Sequence, residues 1–291
     1  MLGYPSKILL FGEYTVLNGS RALAIPWYEY SGDWSHQKWT QSEAESCYQS
    51  LKEFAIKHPL TNIDGARLLD DIQNGLWFDS SIPQGQGLGS SGALVAAIYQ
   101  RYGNFKNKSL IEIKNDLGQL ESYFHGSSSG LDPLVSFLQK PLLIHSPDEI
   151  EVLEKRPSLP VSFLVDTKQE RKAGPLIEIY KRKILDPSFK KGVAENLVFA
   201  VTSAVDTLLE GNMEKFFHHT WLISRFQWDD FKEMIPAEVH GIWKQGLDQG
   251  DFVLKLCGAG GGGHILGFSK NNSFETLAPL ITNFELKELK L

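Results

Sequence analysis

The residues best placed to do chemistry close one short stretch, Pro83-Gln84-Gly85-Gln86-Gly87-Leu88-Gly89-Ser90-Ser91-Gly92. Alternate glycines let a backbone adopt conformations that a Cβ forbids and bring its N–H groups close to a ligand. The apolar run from Ala93 to Tyr99 has helical character. The loop's N–H groups therefore stand at a helix start, where unpaired donors and the helix dipole both favour an anion. Polyphosphate suits such a cradle, and Ser90 and Ser91 add hydroxyls. A Gly/Ser turn that only introduces a helix fits the same residues.

Two common nucleotide signatures are excluded. Gly87 to Gly92 satisfies GxGxxG, but a Rossmann site needs an apolar strand running into the first glycine and a second strand after the helix. Asp79 to Gln84 is polar, and Tyr102 to Lys108 offers no strand. A Walker loop needs a Lys-Ser or Lys-Thr pair after the glycines, and none is there.

Moving a phosphoryl group calls for Mg²⁺, hard oxygen ligands and a base for an alcohol proton. Glu121 and Asp132 are the candidates. Glu121 lies near the end of its helix, where the dipole disfavours a carboxylate without a compensating cation; a solvated Glu on an amphipathic helix fits equally. Asp132 precedes Pro133 and reads as an N-cap followed by the first helical position. A helix start would hold it ionised, as a proton acceptor needs, and a simple cap is the other reading. Lys7 could pair with such an Asp and with the incoming alcohol, or be an exposed strand-end lysine. The run Gly258 to Gly263 permits close approach to a ligand or a tight link between strands. His218 and His219, adjacent on a helix, do not face one another, so a shared metal is not expected. Trp221, Trp228 and Trp243 read as core and groove packing.

Periodicity supplies the elements that must position these groups. Lys7 to Phe11 is a buried strand ending at Gly12, and Thr15 to Leu17 and Ala22 to Ile25 flank an Asn18-Gly19 turn as further β structure. Glu43 to His58 has helical spacing, and Leu76 to Phe78 is a strand before the glycine loop. Helices follow over Ser91 to Arg101 and Ser109 to Phe124, the second with a Ser109/Glu112 capping box. Val161 to Asp166 is a strand. Pro175 to Lys183, Val193 to Glu210, Met213 to Arg225 and Pro236 to Gln249 are helical. Asp251 to Cys257 and His264 to Phe268 are strands around the second glycine run, and Phe274 to Thr282 is helical.

At 291 residues, with 42% apolar and 22% charged residues, the chain is an ordinary globular protein of two domains. Residues 146 to 160, rich in Pro, Asp, Glu and Lys, read as the passage between them, giving domains of 1–155 and 156–291. A net charge of −6 with scattered Lys and Arg argues against a nucleic-acid binder and leaves room for a local basic pocket. Cys47 and Cys257 form no CxxC motif, so neither disulfides nor zinc are indicated and a reducing, cytoplasmic setting fits. No signal peptide or lipid-anchor motif is expected, and Leu197 to Leu209 is interrupted by Thr202, Ser203 and Asp206, which argues against a membrane span.

Three segments together resemble the signature set of the GHMP kinases. They are Pro5-Ser6-Lys7 through Phe11-Gly12-Glu13-Tyr14, Pro83 through Ser91, and Lys255-Leu256-Cys257-Gly258 through Gly263. Their order spans nearly the whole chain. Glu121, His125-Gly126 and Asp132 resemble the mevalonate kinase branch in particular, as does Asp166-Thr167 with Arg171. The resemblance implies an α+β, two-domain GHMP kinase fold, with a ribosomal-protein-like N-terminal and a ferredoxin-like C-terminal domain. It implies ATP-dependent phosphorylation of a small-molecule alcohol, with mevalonate, converted to 5-phosphomevalonate, as the first substrate. Gly85, Gly87, Leu88, Gly89, Ser90 and Ser91 would wrap the ATP phosphates. Ser91 and Glu121 would hold Mg²⁺, Asp132 would take the hydroxyl proton and Lys7 would stabilise the alkoxide. Glu13 and Arg171 would contact the substrate, whose anionic group also draws attention to Lys168 and Lys172. The resemblance leaves a homodimer open. The chain has Ser6 where the family usually has Gly, and Ser128-Ser129-Gly130 for Pro-Ser-Gly. It has Tyr14 where mevalonate kinases usually carry His and phosphomevalonate kinases often carry Tyr. Thr15-Val16 replaces the Asp-Tyr pair of galactokinases. A phosphomevalonate kinase, or a silent nucleotide sensor of the same fold, is the alternative.

Overall fold

The longest strand explains the first sheet. A computed structural model describes residues 3–36, 51–56, 62–171, 173–270, 273–277, 279 and 281–290. Strand β1 (Tyr4–Phe11) is buried at nearly every position, and β2 runs over Ala22–Ser35, well beyond the short strand the sequence pattern predicts. Its first residues pair antiparallel with β4 (Leu142–Ser146), Ala22 facing Ile144, and its last pair with β3 (Trp77–Ser80), Trp34 facing Phe78. With β5 (Glu149–Val152) antiparallel to β4, the five-stranded sheet runs β1-β2-β4-β5, with β3 on β2.

Thr15–Asn18 is a 3₁₀ turn, where the sequence pattern predicts a strand. Gly19, at φ 89°, closes it, and Ser20 folds back so that its hydroxyl donates to Thr15 Oγ1 at 2.7 Å. The strand over Ala22 finds its partner in β4 instead, Ala22 facing Ile144 and Ala24 facing Leu142, far along the chain.

Packing divides the chain into two units. The first comprises Met1–Lys7, Pro26–Pro83 and Leu88–Lys140; the second comprises Ile8–Ile25, Gln84–Gly87 and Pro141–Leu291. In the first, helices α1 (Gly65–Gln73), α2 (Ser90–Tyr102), α3 (Leu110–His125) and α4 (Leu131–Leu138) enclose a core of Leu68, Ile72, Val95, Tyr99, Leu117, Leu120 and Leu134, all fully buried. Each such side chain contributes about 1.5–3 kcal/mol of burial. The Ser109/Glu112 capping box forms, the Ser109 N–H donating to Glu112 Oε2 at 2.8 Å.

One local reading changes. Gly130, at φ 75°, caps α4, so Asp132 is the second helical residue rather than the cap. A Cβ on Gly130 would lie 2.1 Å from the Lys114 carbonyl of α3, so glycine must occupy the cap. Pro133 then falls in the first turn, where its missing N–H costs nothing.

In the second unit, a four-stranded antiparallel sheet has the order β7-β8-β6-β9, from β6 (Ser162–Asp166), β7 (Phe252–Leu256), β8 (His264–Ser269) and β9 (Glu285–Glu288). Numbered within the domain this is 2-3-1-4, the ferredoxin-like arrangement, in line with the expectation. Its helices are α5 (Ala173–Lys183), α6 (Pro187–Gly192), α7 (Val198–Leu209), α8 (Met213–Asp230), α9 (His240–Gln249) and the short α10 (Phe274–Leu277), with a π-helical stretch over Val193–Leu197 between α6 and α7. Phe11 stacks on Phe268 and meets Phe216 edge-on in the core. Trp243 is fully buried and its indole N–H donates to the Ser224 carbonyl at 3.3 Å. The continuous helical stretch Pro187–Leu209 is long and apolar enough to cross a membrane by length and composition. Here its α7 part packs on α8, and Asp206 pairs with Arg21. Most of the helix predicted over Glu43 to His58 lies outside the described residues, as do Cys47 and Lys172; residues 51–56 are helical.

Candidate active site

In the first unit four predicted residues meet. Lys7 Nζ lies 2.9 Å from Asp132 Oδ2, the lysine buried and the aspartate side chain 38% exposed. Ser91 Oγ donates to Glu121 Oε1 at 3.1 Å, and Ser128 Oγ donates to the other oxygen, Oε2. Burial, and then the charge of Asp132, push the Glu121 carboxyl up to about 7, against the pull of Ser128, Ser91 and Lys7. A buried carboxylate crowded by another anion favours a cation beside it. The donors there, a hydroxyl and carboxylate oxygens, are of the hard type that Mg²⁺ prefers.

The glycines explain how these side chains come so close. A Cβ on Gly89 would meet Lys7 Cγ at 2.8 Å, and one on Gly92 would meet the Asp132 backbone carbonyl carbon at 3.0 Å. Side chains there would push the lysine stem aside and separate α2 from α4. The Lys7 N–H also donates to the Leu88 carbonyl at 2.9 Å, tying the strand to the loop, while the Leu88 side chain is sealed in the core. Ser90 opens α2, and Gly89 precedes it at φ 80°. The Gly89 and Ser90 N–H groups make no hydrogen bond of normal geometry to a described backbone carbonyl. Such unspent donors at a helix start form an anion cradle.

Sequence comparison finds a family and structural comparison a fold. Residues 47–140 match the family model described as GHMP kinases N terminal domain. No curated protein sequence matches the chain. Its fold is similar to L. major mevalonate kinase in complex with R-mevalonate, at 16% identity and a TM-score of 0.63, covering 96% of this chain and 89% of that one. It is similar to Streptococcus pneumoniae phosphomevalonate kinase in complex with phosphomevalonate and AMPPNP, at 16% identity, a TM-score of 0.67 and 98% of each chain. It is similar also to Lactococcus lactis galactokinase complexed with galactose, at 14% identity and 0.63, covering 99% and 92%. Residues 47–140 thus match a GHMP kinase N-terminal domain, and the whole chain has the fold of these kinases.

The second unit of this GHMP kinase fold holds the remaining predicted residues. Gly85 and Gly87 have φ values of 70° and 79°, and the Gly85 carbonyl accepts the Arg171 N–H at 2.9 Å. The Arg171 guanidinium lies against Gly87 and Gly258, where a Cβ would meet Nη1 at 2.6 and 2.1 Å, and it donates to the Cys257 carbonyl at 3.4 Å. Of the described cations considered for an anionic substrate, Lys168 is held by Asp166 and Glu285, and Arg171 lies beside the glycines.

Glu13 is sealed away. Its Oε1 accepts from Lys255 Nζ at 2.6 Å and from the Gly258 N–H at 3.5 Å, and burial outweighs Lys255 and raises its carboxyl pKa. Tyr14, at the non-glycine φ of 62°, donates its hydroxyl to the Ala259 carbonyl and stacks on Tyr180. Both residues brace the Gly258 turn. Sequence reasoning missed Ser128 and Lys255 as partners; the signal for Lys255 was its place at the end of the strand that runs into the second glycine run.

Proposed function

We propose that this chain is an ATP-dependent small-molecule kinase whose first substrate is mevalonate. The observation that carries the reading is the Lys7–Asp132 pair at 2.9 Å, with the aspartate open to an incoming group. It shares a unit with the Ser91–Glu121 bond and with the α2 start. Asp132 would take the hydroxyl proton as the substrate oxygen bonds to the γ-phosphorus. Lys7 would stabilise the developing alkoxide, and the bond to the β-phosphate oxygen would break to release ADP. Loop N–H groups would hold the phosphates, and Arg171 would receive the substrate's anionic group. Ser91 and Glu121 would hold Mg²⁺, which when bound neutralises phosphate charge.

Tyr14 tempers one distinction drawn from sequence. Its hydroxyl and ring are spent on Ala259 and Tyr180, so its identity weighs less on which alcohol is chosen. Purified protein with Mg-ATP should release ADP with mevalonate well above its rate with phosphomevalonate, galactose or homoserine. Fastest turnover on phosphomevalonate would reassign the substrate, and no ADP with any of the four would overturn the kinase reading.

A further inference from the structure

We propose that His264 is a positioning residue for the phosphate loop, holding the Gln86 peptide so that the Gly87 N–H is presented to a nucleotide phosphate. The proposal rests on the nucleotide-binding reading above and concerns atoms of the second unit alone. His264 opens β8 opposite Asp166 and is 3% exposed. Its Nδ1 lies 3.5 Å from the Gln86 carbonyl. A carbonyl can only accept, so a hydrogen bond here requires the proton on Nδ1, which in the neutral ring leaves Nε2 bare.

The neighbouring backbone makes that carbonyl a fixed point. Gly263 packs on it so closely that a Cβ would lie 2.6 Å from Gln86 O. Gly263 is itself pinned: its carbonyl accepts from Thr167 N and Oγ1 at 3.0 and 2.7 Å, and its N–H donates to Gln169 O at 2.7 Å. One residue earlier, the Gly85 carbonyl is tied to Arg171 N–H at 2.9 Å. In a trans peptide the N–H points opposite to the C=O. Fixing the Gly85 and Gln86 carbonyls therefore turns the Gln86 and Gly87 N–H groups away from the Arg171 and His264 groups that hold them.

Packing alone does not account for a histidine here. Nε2 and the Gln86 Oε1 are buried without a partner among the described residues. An orphaned buried polar atom is costly, so a site needing only volume would do better with leucine. The imidazole retains its value through Nδ1.

Affinity for Mg-AMPPNP, measured by calorimetry on wild type, His264→Leu, His264→Asn and His264→Gln, tests this. Asn can place an N–H near the position of Nδ1, whereas Gln reaches toward Nε2. H264L should bind about tenfold more weakly, or about 1.4 kcal/mol. Its KM for ATP should rise with kcat at saturation unchanged, and its melting temperature without nucleotide should stay level or rise. H264N should recover most of the affinity and H264Q should not, a contrast that stands even where H264L folds poorly. Wild-type affinity in H264L, or equal rescue by Gln and Asn, would overturn the proposal. Failure of wild type to bind Mg-AMPPNP would remove the nucleotide-binding reading itself, a separate outcome.

Discussion

Two lysine–carboxylate pairs, one in each unit, are built from nearly the same parts and invite opposite uses. Lys7–Asp132 spans 2.9 Å with side chains 5% and 38% exposed; Lys255–Glu13 spans 2.6 Å with both at or below 3%. Lys255 also donates to the Leu256 carbonyl at 2.6 Å, and Glu13 accepts from the Gly258 N–H. The second pair is thus closed on itself, and desolvation dominates the energetics of its carboxyl. Asp132 sits in the first turn of α4, where the dipole favours its charge, with accessible surface left over. Residue type does not separate a reacting pair from a bracing pair. Access does.

The sharpest way to break this contrast is Asp132→Asn. If the open pair does the chemistry, kcat should fall by roughly 10²–10⁴ while Mg-AMPPNP still raises the melting temperature, since the cradle is untouched. Turnover equal to wild type would remove Asp132 as the proton acceptor and leave the pair structural.

Next in size is the closed pair. Lys255→Met strands a buried carboxylate and should destabilise the fold by about 3–5 kcal/mol in urea unfolding. Adding Glu13→Gln should restore part of that loss, because the uncompensated charge goes with it. A K255M protein of unchanged stability but abolished turnover would place this pair in the chemistry and collapse the distinction.

How much of this was legible in the sequence follows from contact range. The phosphate loop, α2 and the α3 capping box were readable because glycine spacing and Ser109/Glu112 act over a few residues. α1 carries a local signal too, the Asp64 cap with Leu68 and Ile72 one turn apart. β4, β5 and β9 are only four or five residues long, too short for alternation to show. Residue chemistry suggested Lys7, Glu121 and Asp132 only as candidates with ordinary structural readings beside them, and the order of the family motifs joined them, because no local pattern relates Lys7 to residues so far along the chain. The Lys255–Glu13 bond links positions 242 apart, and the His264–Gln86 contact 178 apart. The cap of α4 was misassigned because the demand for glycine at 130 comes from the Lys114 carbonyl of another helix.

The smallest of these effects tests what lies beside the open pair. Glu121, buried and near Asp132, has its carboxyl raised to about 7 in the fold, against 4.5 as the ordinary value. A carboxyl raised on folding adds stability that is fully present below the unfolded value and is lost as pH rises through the folded one. Metal-free protein should therefore lose up to about 3 kcal/mol from this group between pH 4.5 and pH 8. Other groups titrate across the same range, so the informative quantity is the difference between wild type and Glu121→Gln. That difference should slope with pH, because Gln cannot release a proton. Mg²⁺ should flatten it, since a bound cation holds the carboxylate ionised in the fold as it is in the unfolded chain. Parallel pH profiles for the two proteins would mean that Ser91 and Ser128 already satisfy an ionised Glu121, and the case for a cation at that carboxyl would fall with them.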